Sequence, residues 1–202
     1  MAGPLKIDGD YARGVFYVPL ATTESALVRS YERGMVTISR ASGASTQVLT
    51  NENRVSPIFV FDDVAAAAEL TRTVGDRFAE LQAAAEATTR HGRLLRVEPQ
   101  QVERAVILTF AYWTADAHGM NMIVRATEAA CRLLLADCRA RRFYIFSGAE
   151  SEKRASGALF AGGKGKKVVA GALIFARLVR AYLHTTPEEL VELWRFTVLG
   201  HL

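Results

Sequence analysis

Between Pro57 and Phe146 the apolar positions fall into short runs and helical repeats that can be read as ordered elements. Residues 58–61 form an unbroken apolar run closed by Asp62-Asp63, which predicts a strand followed by a helix cap. A helix reaching about Thr89 follows, because Leu70, Val74, Phe78, Leu81 and Ala85 recur four, four, three and four apart and share one face. Residues 94–97 and 106–110 read as two strands, and residues 120–138 as a second helix with Ile123, Ala130 and Leu134 inward. Residues 143–146 supply a fourth strand.

The flanks are less regular. Residues 14–20 are extended, and Thr22 or Thr23 is positioned to cap a helix carrying Leu27, Val28 and Tyr31. Residues 39–53, rich in Ser, Thr, Asn and Gly, read as an irregular or edge segment. Beyond a Gly-rich loop at 157–165, residues 168–183 predict an amphipathic helix. Thr185-Thr186-Pro187-Glu188-Glu189 opens a last helix, with Pro near its first position and acids in its first turn.

The order strand-helix-strand-strand-helix-strand is that of a ferredoxin-like split βαβ unit. The expected class is therefore α+β. A small ferredoxin-like domain (58–146) is inserted into a larger helix-rich domain made of 1–57 and 147–202.

With half of its 202 residues hydrophobic, the chain can bury a sizeable core. No run approaches the ~18 apolar residues of a membrane helix, and no basic-then-apolar leader opens the chain. Cys131 and Cys138 sit on one predicted helix and read as two buried thiols of a reducing, cytoplasmic compartment. The net charge of +4 is spread along the chain rather than gathered in a stripe, so no nucleic-acid partner is expected. An RNA-recognition module would use aromatics such as Phe110, Tyr112 and Trp113, but its Gly-aromatic signature is missing.

Four segments carry candidate chemistry. In Asp116-Ala117-His118-Gly119-Met120-Asn121-Met122, glycine admits close backbone approach and a helix N-terminus favours an anion. The same stretch also reads as an ordinary strand-to-helix connection capped by Asp116. Thr89-Arg90-His91-Gly92-Arg93 offers guanidinium groups to a phosphate or to a helix C-terminus. Glu24 complements a helix dipole. Lys153-Arg154 reads as a solvated pair in a surface loop.

Together these blocks resemble the catalytic domain of the 3-hydroxy-3-methylglutaryl-CoA (HMG-CoA) reductase family. Residues 116–122 match the family's Asp-Ala-Met-Gly-Met-Asn-Met at six of seven positions, His118 standing for Met. Ala21-Thr22-Thr23-Glu24 and Gly163-Lys164-Gly165-Lys166 are similar to two further family motifs. The resemblance implies reduction of HMG-CoA to mevalonate and CoA with NADPH, NADH being the alternative. Glu24 would be the proton donor and Lys153 the stabiliser of the oxyanion. Thr89, Arg90, Thr114, Asp116, Gly119, Met120 and Asn121 would contact the cofactor. Ser30 and Arg33 would meet coenzyme A. Ser147, Glu152, Arg154 and, with the register off by one, Arg54 would hold the HMG moiety. No metal is implied. A homodimer with an interfacial active site is implied by the resemblance.

The chain departs from the family at Ser25, Val36, Ala149, Ala155 and Leu159. It is expected to span the middle of the family domain, since the family's catalytic aspartate and C-terminal histidine have no counterpart in it. The alternative reading is a non-catalytic CoA- or dinucleotide-binding remnant.

Overall fold

The structure, a computed structural model, describes residues 1–149 and 165–199. The architecture is mixed α+β and divides into two compact units: Met1–Leu49 with Val168–Leu202, and Thr50–Lys167.

In the first unit, β1 (Ala2–Gly9) and β2 (Arg13–Val18) form an antiparallel hairpin closed by Gly9 N–H donating to the Ala12 carbonyl at 3.0 Å. Helix α1 (Ser25–Arg40) returns the chain so that the start of β3 (Ala44–Val55) lies parallel to β1, with Ile7 opposite Ala44. The Ser39 hydroxyl fastens the end of α1 to β1, accepting from Lys6 N–H at 2.8 Å and donating to the Pro4 carbonyl at 2.9 Å. Gly9 is required where these strands meet, because a Cβ there would fall 2.0 Å from Thr46 Oγ1.

Several flank expectations are corrected. Neither Thr22 nor Thr23 caps α1. Its N-cap is Glu24, with no side-chain cap, and Thr22 Oγ1 instead accepts from Glu24 N–H at 3.0 Å. Most of the segment expected to be irregular or at an edge belongs to the twelve-residue strand β3, whose Asn51, Glu52 and Asn53 bond Lys166, Arg96 and the His118 carbonyl. The helix expected over 168–183 is replaced at its start by β8 (Gly165–Gly171), where β-branched Val168 and Val169 suit a strand paired with β3. Only α5 (Ala176–Leu178) and a π-helical turn (Val179–Leu183) are helical there. The last helix, α6 (Pro187–Leu199), starts as expected. Thr186 and Glu189 form a reciprocal capping box, each side chain accepting from the other's backbone N–H at 3.2 and 3.1 Å.

In the second unit, β4 (Ile58–Val60), β5 (Arg93–Val102), β6 (Ala105–Trp113) and β7 (Arg142–Tyr144) are antiparallel in the spatial order β7-β4-β6-β5. The end of β3 joins β6 beyond β4, pairing Asn53 with Tyr112 and Val55 with Phe110. On β6 the alternate residues Val106, Leu108, Phe110 and Tyr112 are buried, the period-two pattern of a face turned to a core. Against them pack α2 (Val64–Thr73), α3 (Phe78–Glu86) and α4 (Met120–Asp137), through Ala67, Leu70, Leu81, Ala85, Ile123, Ala130 and Leu134.

Asp63 caps α2 as expected, accepting from Ala66 N–H at 2.7 Å. The single helix expected to Thr89 is two. The chain turns at 74–77, where Gly75 and Asp76 weaken the helix and Arg77 is held by both Glu80 and Asp137 at 2.8 Å. The apolar spacing runs on through the turn, so the break leaves no mark in the periodicity. Cys131 is buried and Cys138 half-buried. Both are free thiols whose pKa burial pushes up. Among the described residues no helix is long and apolar enough to cross a membrane.

Candidate functional site

Within Thr50–Lys167 the structure brings two of the sequence-derived elements together around one side chain. The loop from Thr114 to Gly119 joins β6 to α4, and the turn at Thr89–Arg93 joins α3 to β5. Met122, in the first turn of α4, lies against both. A Cβ on Gly92 would stand 2.9 Å from Met122 Cε, and one on Gly119 would stand 3.1 Å from the same carbon. The two backbones approach the thioether because neither carries a side chain at that point.

The loop is fixed by short bonds. Thr114, 7 % exposed, donates from Oγ1 to the Ala117 carbonyl at 2.7 Å. The buried Asn53 of β3 donates from Nδ2 to the His118 carbonyl at 2.8 Å. Gly119 is the N-cap of α4, with φ +69° and no side-chain cap, so the helix does not begin on Asp116. The first-turn N–H groups of α4 therefore lack a side-chain acceptor from the cap, and the macrodipole makes that end attractive to an anion. In the other element, Thr89 Oγ1 accepts from Gly92 N–H at 3.1 Å, which bends the turn and leaves Arg90 exposed.

Asn51, Asn53, Thr114, Asp116, His118 and Lys166 line a cavity of about 260 Å³ beside the loop, where Lys166 Nζ donates to Asn51 Oδ1 at 2.6 Å. Next to it, Glu52 binds Arg54 and Arg96 through both carboxylate oxygens. Hydrogen bonds from Arg96, then Arg54, hold its carboxyl at about 2 against the opposing effect of burial. Arg54, expected at the substrate carboxylate, is thus anchored to Glu52.

The remaining expected residues stand elsewhere. Ser147 donates its N–H to the Ser56 carbonyl at 3.0 Å. Exposed Asn121 and half-buried Met120 open α4. Glu24, Ser30 and Arg33 belong to the first unit and are exposed. Ser30 lines an apolar groove on α1 with Leu27, Tyr31 and Ile38. Lys153, Glu152 and Arg154 lie outside the described residues. Sequence reasoning passed over Glu52, Asn53 and Arg96. For Glu52 and Asn53 the signal was the polar run Asn51-Glu52-Asn53-Arg54 before the apolar Val55; Arg96 left none.

The family model for hydroxymethylglutaryl-coenzyme A reductase matches residues 1–201. The chain belongs to the HMG-CoA reductase family. Over 193 residues it is 42 % identical to the 3-hydroxy-3-methylglutaryl-coenzyme A reductase of Haloferax volcanii, covering 96 % of this chain and 48 % of that protein. With the reductase of Methanocaldococcus jannaschii it shares 37 % identity over 200 residues, covering 96 % of this chain and 49 % of the relative. The chain spans about half the length of the curated relatives it matches.

Among solved structures, an HMG-CoA reductase of Streptococcus pneumoniae superposes with a TM-score of 0.61 at 19 % identity, over 87 % of this chain and 45 % of the other. A class II reductase of the same organism, described as bound to NADPH in open conformations, gives 0.60 at 19 % identity with the same coverage. These two likenesses show the fold. Family membership at such identity does not favour the binding-remnant reading.

In this HMG-CoA reductase family member the loop depends on its glycine. Gly119→Ala places a side chain at a left-handed φ and 3.0 Å from Thr114 Cβ. The left-handed conformation alone costs about 1–2 kcal/mol. Thermal unfolding should shift down by about 5 °C. A variant melting with the wild type would show that the loop adjusts freely.

Proposed function

We propose that the protein works as an NADPH-dependent HMG-CoA reductase, carrying out two hydride transfers that give mevalonate and free coenzyme A. The observation that carries this reading is the meeting of the 89–93 turn and the 114–119 loop on Met122, in a member of this family. The residues fit a dinucleotide. Gly92 and Gly119 let the turn and the loop close on Met122, the start of α4 has no side-chain cap and suits an anion, and Arg90 stands exposed in the turn.

Residues 58–146, within the unit Thr50–Lys167, are then the ferredoxin-like cofactor domain. Its order β7-β4-β6-β5 places the fourth, first, third and second strands of a split βαβ unit side by side, in support of this reading. The first unit, interrupted by it in sequence, is the substrate domain.

The cofactor, when bound, supplies hydride. Arg90 pairs with its 2′-phosphate, since a guanidinium meets phosphate through two parallel bonds and stays charged. Thr89, Thr114, Asp116, Gly119, Met120 and Asn121 seat the remainder. Ser30 and Arg33 meet coenzyme A. Ser147, Glu152, Arg154 and the N–H groups that Arg54 does not spend on Glu52 take the HMG moiety. Glu24 delivers the proton to the substrate oxygen. The active assembly is a homodimer in the cytoplasm, a reading supported on one side by the exposed Leu193, Trp194 and Phe196 of α6.

NADPH oxidation on addition of HMG-CoA, with mevalonate identified as product, tests the activity. Arg90→Ala should raise KM for NADPH about 10- to 100-fold, the loss of one charge-assisted contact, and leave KM for NADH near its wild-type value. An equal loss with both cofactors would remove Arg90 from the 2′-phosphate.

A further inference from the structure

We infer that Asn53 is a positioning residue for the cofactor loop, acting through its hydrogen bond to the His118 carbonyl. The inference rests on the cofactor reading above. Asn53 is 2 % exposed, and both ends of its amide are engaged in opposite directions. Nδ2 donates to the His118 carbonyl at 2.8 Å, and Oδ1 accepts from the Arg54 backbone N–H at 2.9 Å. This second bond fixes which end of the amide faces the loop, because only the NH2 end can donate.

The strand beneath is rigid at this point. Asn53 pairs with Tyr112 in β6, while Glu52 beside it binds both Arg54 and Arg96. Asn53 therefore grips the loop from a pre-organised strand. The peptide between His118 and Gly119 is planar and trans, so a carbonyl held toward Asn53 sends the Gly119 N–H the opposite way. Asn53 thus sets the orientation of the backbone that opens α4, although as a residue of β3 it lies in neither cofactor element. Losing it leaves the His118 carbonyl without this donor and the Gly119 peptide free to rotate.

Asn53→Asp isolates the donor. The carboxylate has nearly the shape of the amide and still accepts from Arg54 N–H, but when ionised it cannot donate to a carbonyl. When protonated it can. Two readouts on the full chain separate the possibilities: amide-exchange protection of Ile123, whose N–H donates to the Gly119 carbonyl at 3.0 Å, without ligand, and the Kd for NADP+. At pH 7.5 the variant should lose about tenfold in both, the loss of roughly one hydrogen bond. Relative to wild type at each pH, both should recover as the pH falls toward the range where a carboxyl takes up its proton.

Glu52, Arg54 and Arg96 beside the residue, and Asp116, His118 and Lys166 around the cavity, are common to both proteins, so the wild-type titration is the reference. Thr127→Val is the stability control. It removes the buried bond from Thr127 Oγ1 to the Tyr112 hydroxyl at 3.0 Å, and should lower the melting temperature while sparing the loop and the affinity.

Wild-type protection and affinity in Asn53→Asp at pH 7.5 would overturn the proposal. So would a pattern like that of Thr127→Val, or a loss that ignores pH. Wild-type protein that binds no NADP+, with protection still lost in Asn53→Asp, would sink the cofactor reading and support the positioning role.

Discussion

Glu52→Gln should lower the unfolding free energy by about 3 kcal/mol at neutral pH, a large loss for a single polar substitution. The Glu52 side chain is 8 % exposed, yet it carries a charge because two guanidinium groups surround it. Oε1 accepts from Arg54 Nε and Nη2 at 2.8 and 2.6 Å and from Arg96 Nη2 at 2.7 Å, while Oε2 accepts from Arg96 Nη1. Glutamine keeps the shape and loses the charge. Arg54 and Arg96 then face one another across a neutral amide, Arg96 keeping only Glu98 at 2.8 Å, and breaking such a pair costs more than the pair itself contributes.

The same group sets a pH dependence. Its folded pKa, about 2, lies below that of an unfolded glutamate, so its stabilisation is fully present above the unfolded pKa. It is lost as pH falls through the folded value, that is, between about pH 5 and pH 2. Urea unfolding at pH 7, 5 and 3 checks both statements. Wild type should lose stability on acidification more steeply than Glu52→Gln, and the two should converge near pH 2. Equal stability at pH 7 would show that the cluster contributes nothing net.

This cluster also marks what the sequence hides. The strands and helices of Thr50–Lys167 were legible where side-chain identity reports burial directly. Val106, Leu108, Phe110 and Tyr112 alternate, and Ile123, Ala130 and Leu134 recur at helical spacing. β3 was not legible, because its Ser, Thr, Asn and Glu residues have the composition of a loop. They belong to a strand because Asp8, Tyr112, Arg96 and His118, all remote in sequence, supply the partners. The helix expected over 168–183 failed for a related reason: strand pairing at β8 overrode an apolar pattern that fits either structure.

The candidate site divides the same way. The 114–122 loop was legible through its own glycine and its helix start, which are local features. Met122 as the wedge between two glycines, and Asn53 as the grip on the loop, arise from chain segments that meet only in the fold.

If Lys153 is the oxyanion stabiliser of the proposed reaction, Lys153→Ala should lower kcat about 10²- to 10³-fold while the Kd for NADPH stays within about twofold of wild type. The argument is chemical. Hydride addition to a thioester carbonyl turns a neutral oxygen into an oxyanion, and a second addition to the resulting aldehyde does so again. An ammonium group placed at that oxygen interacts with little charge in the ground state and with nearly a full charge in the transition state. Its removal therefore falls on kcat rather than on binding. In the proposed function the nicotinamide cofactor would be held by the loop and turn that meet on Met122, which do not include Lys153, so its affinity would have no reason to change. Lys153→Arg should recover only part of the rate, because guanidinium keeps the charge but spreads it over a wider plane and displaces the nearest proton. Unchanged turnover in Lys153→Ala would take this residue out of the chemistry. A parallel loss of NADPH binding would instead place it with the structural support of the cofactor domain.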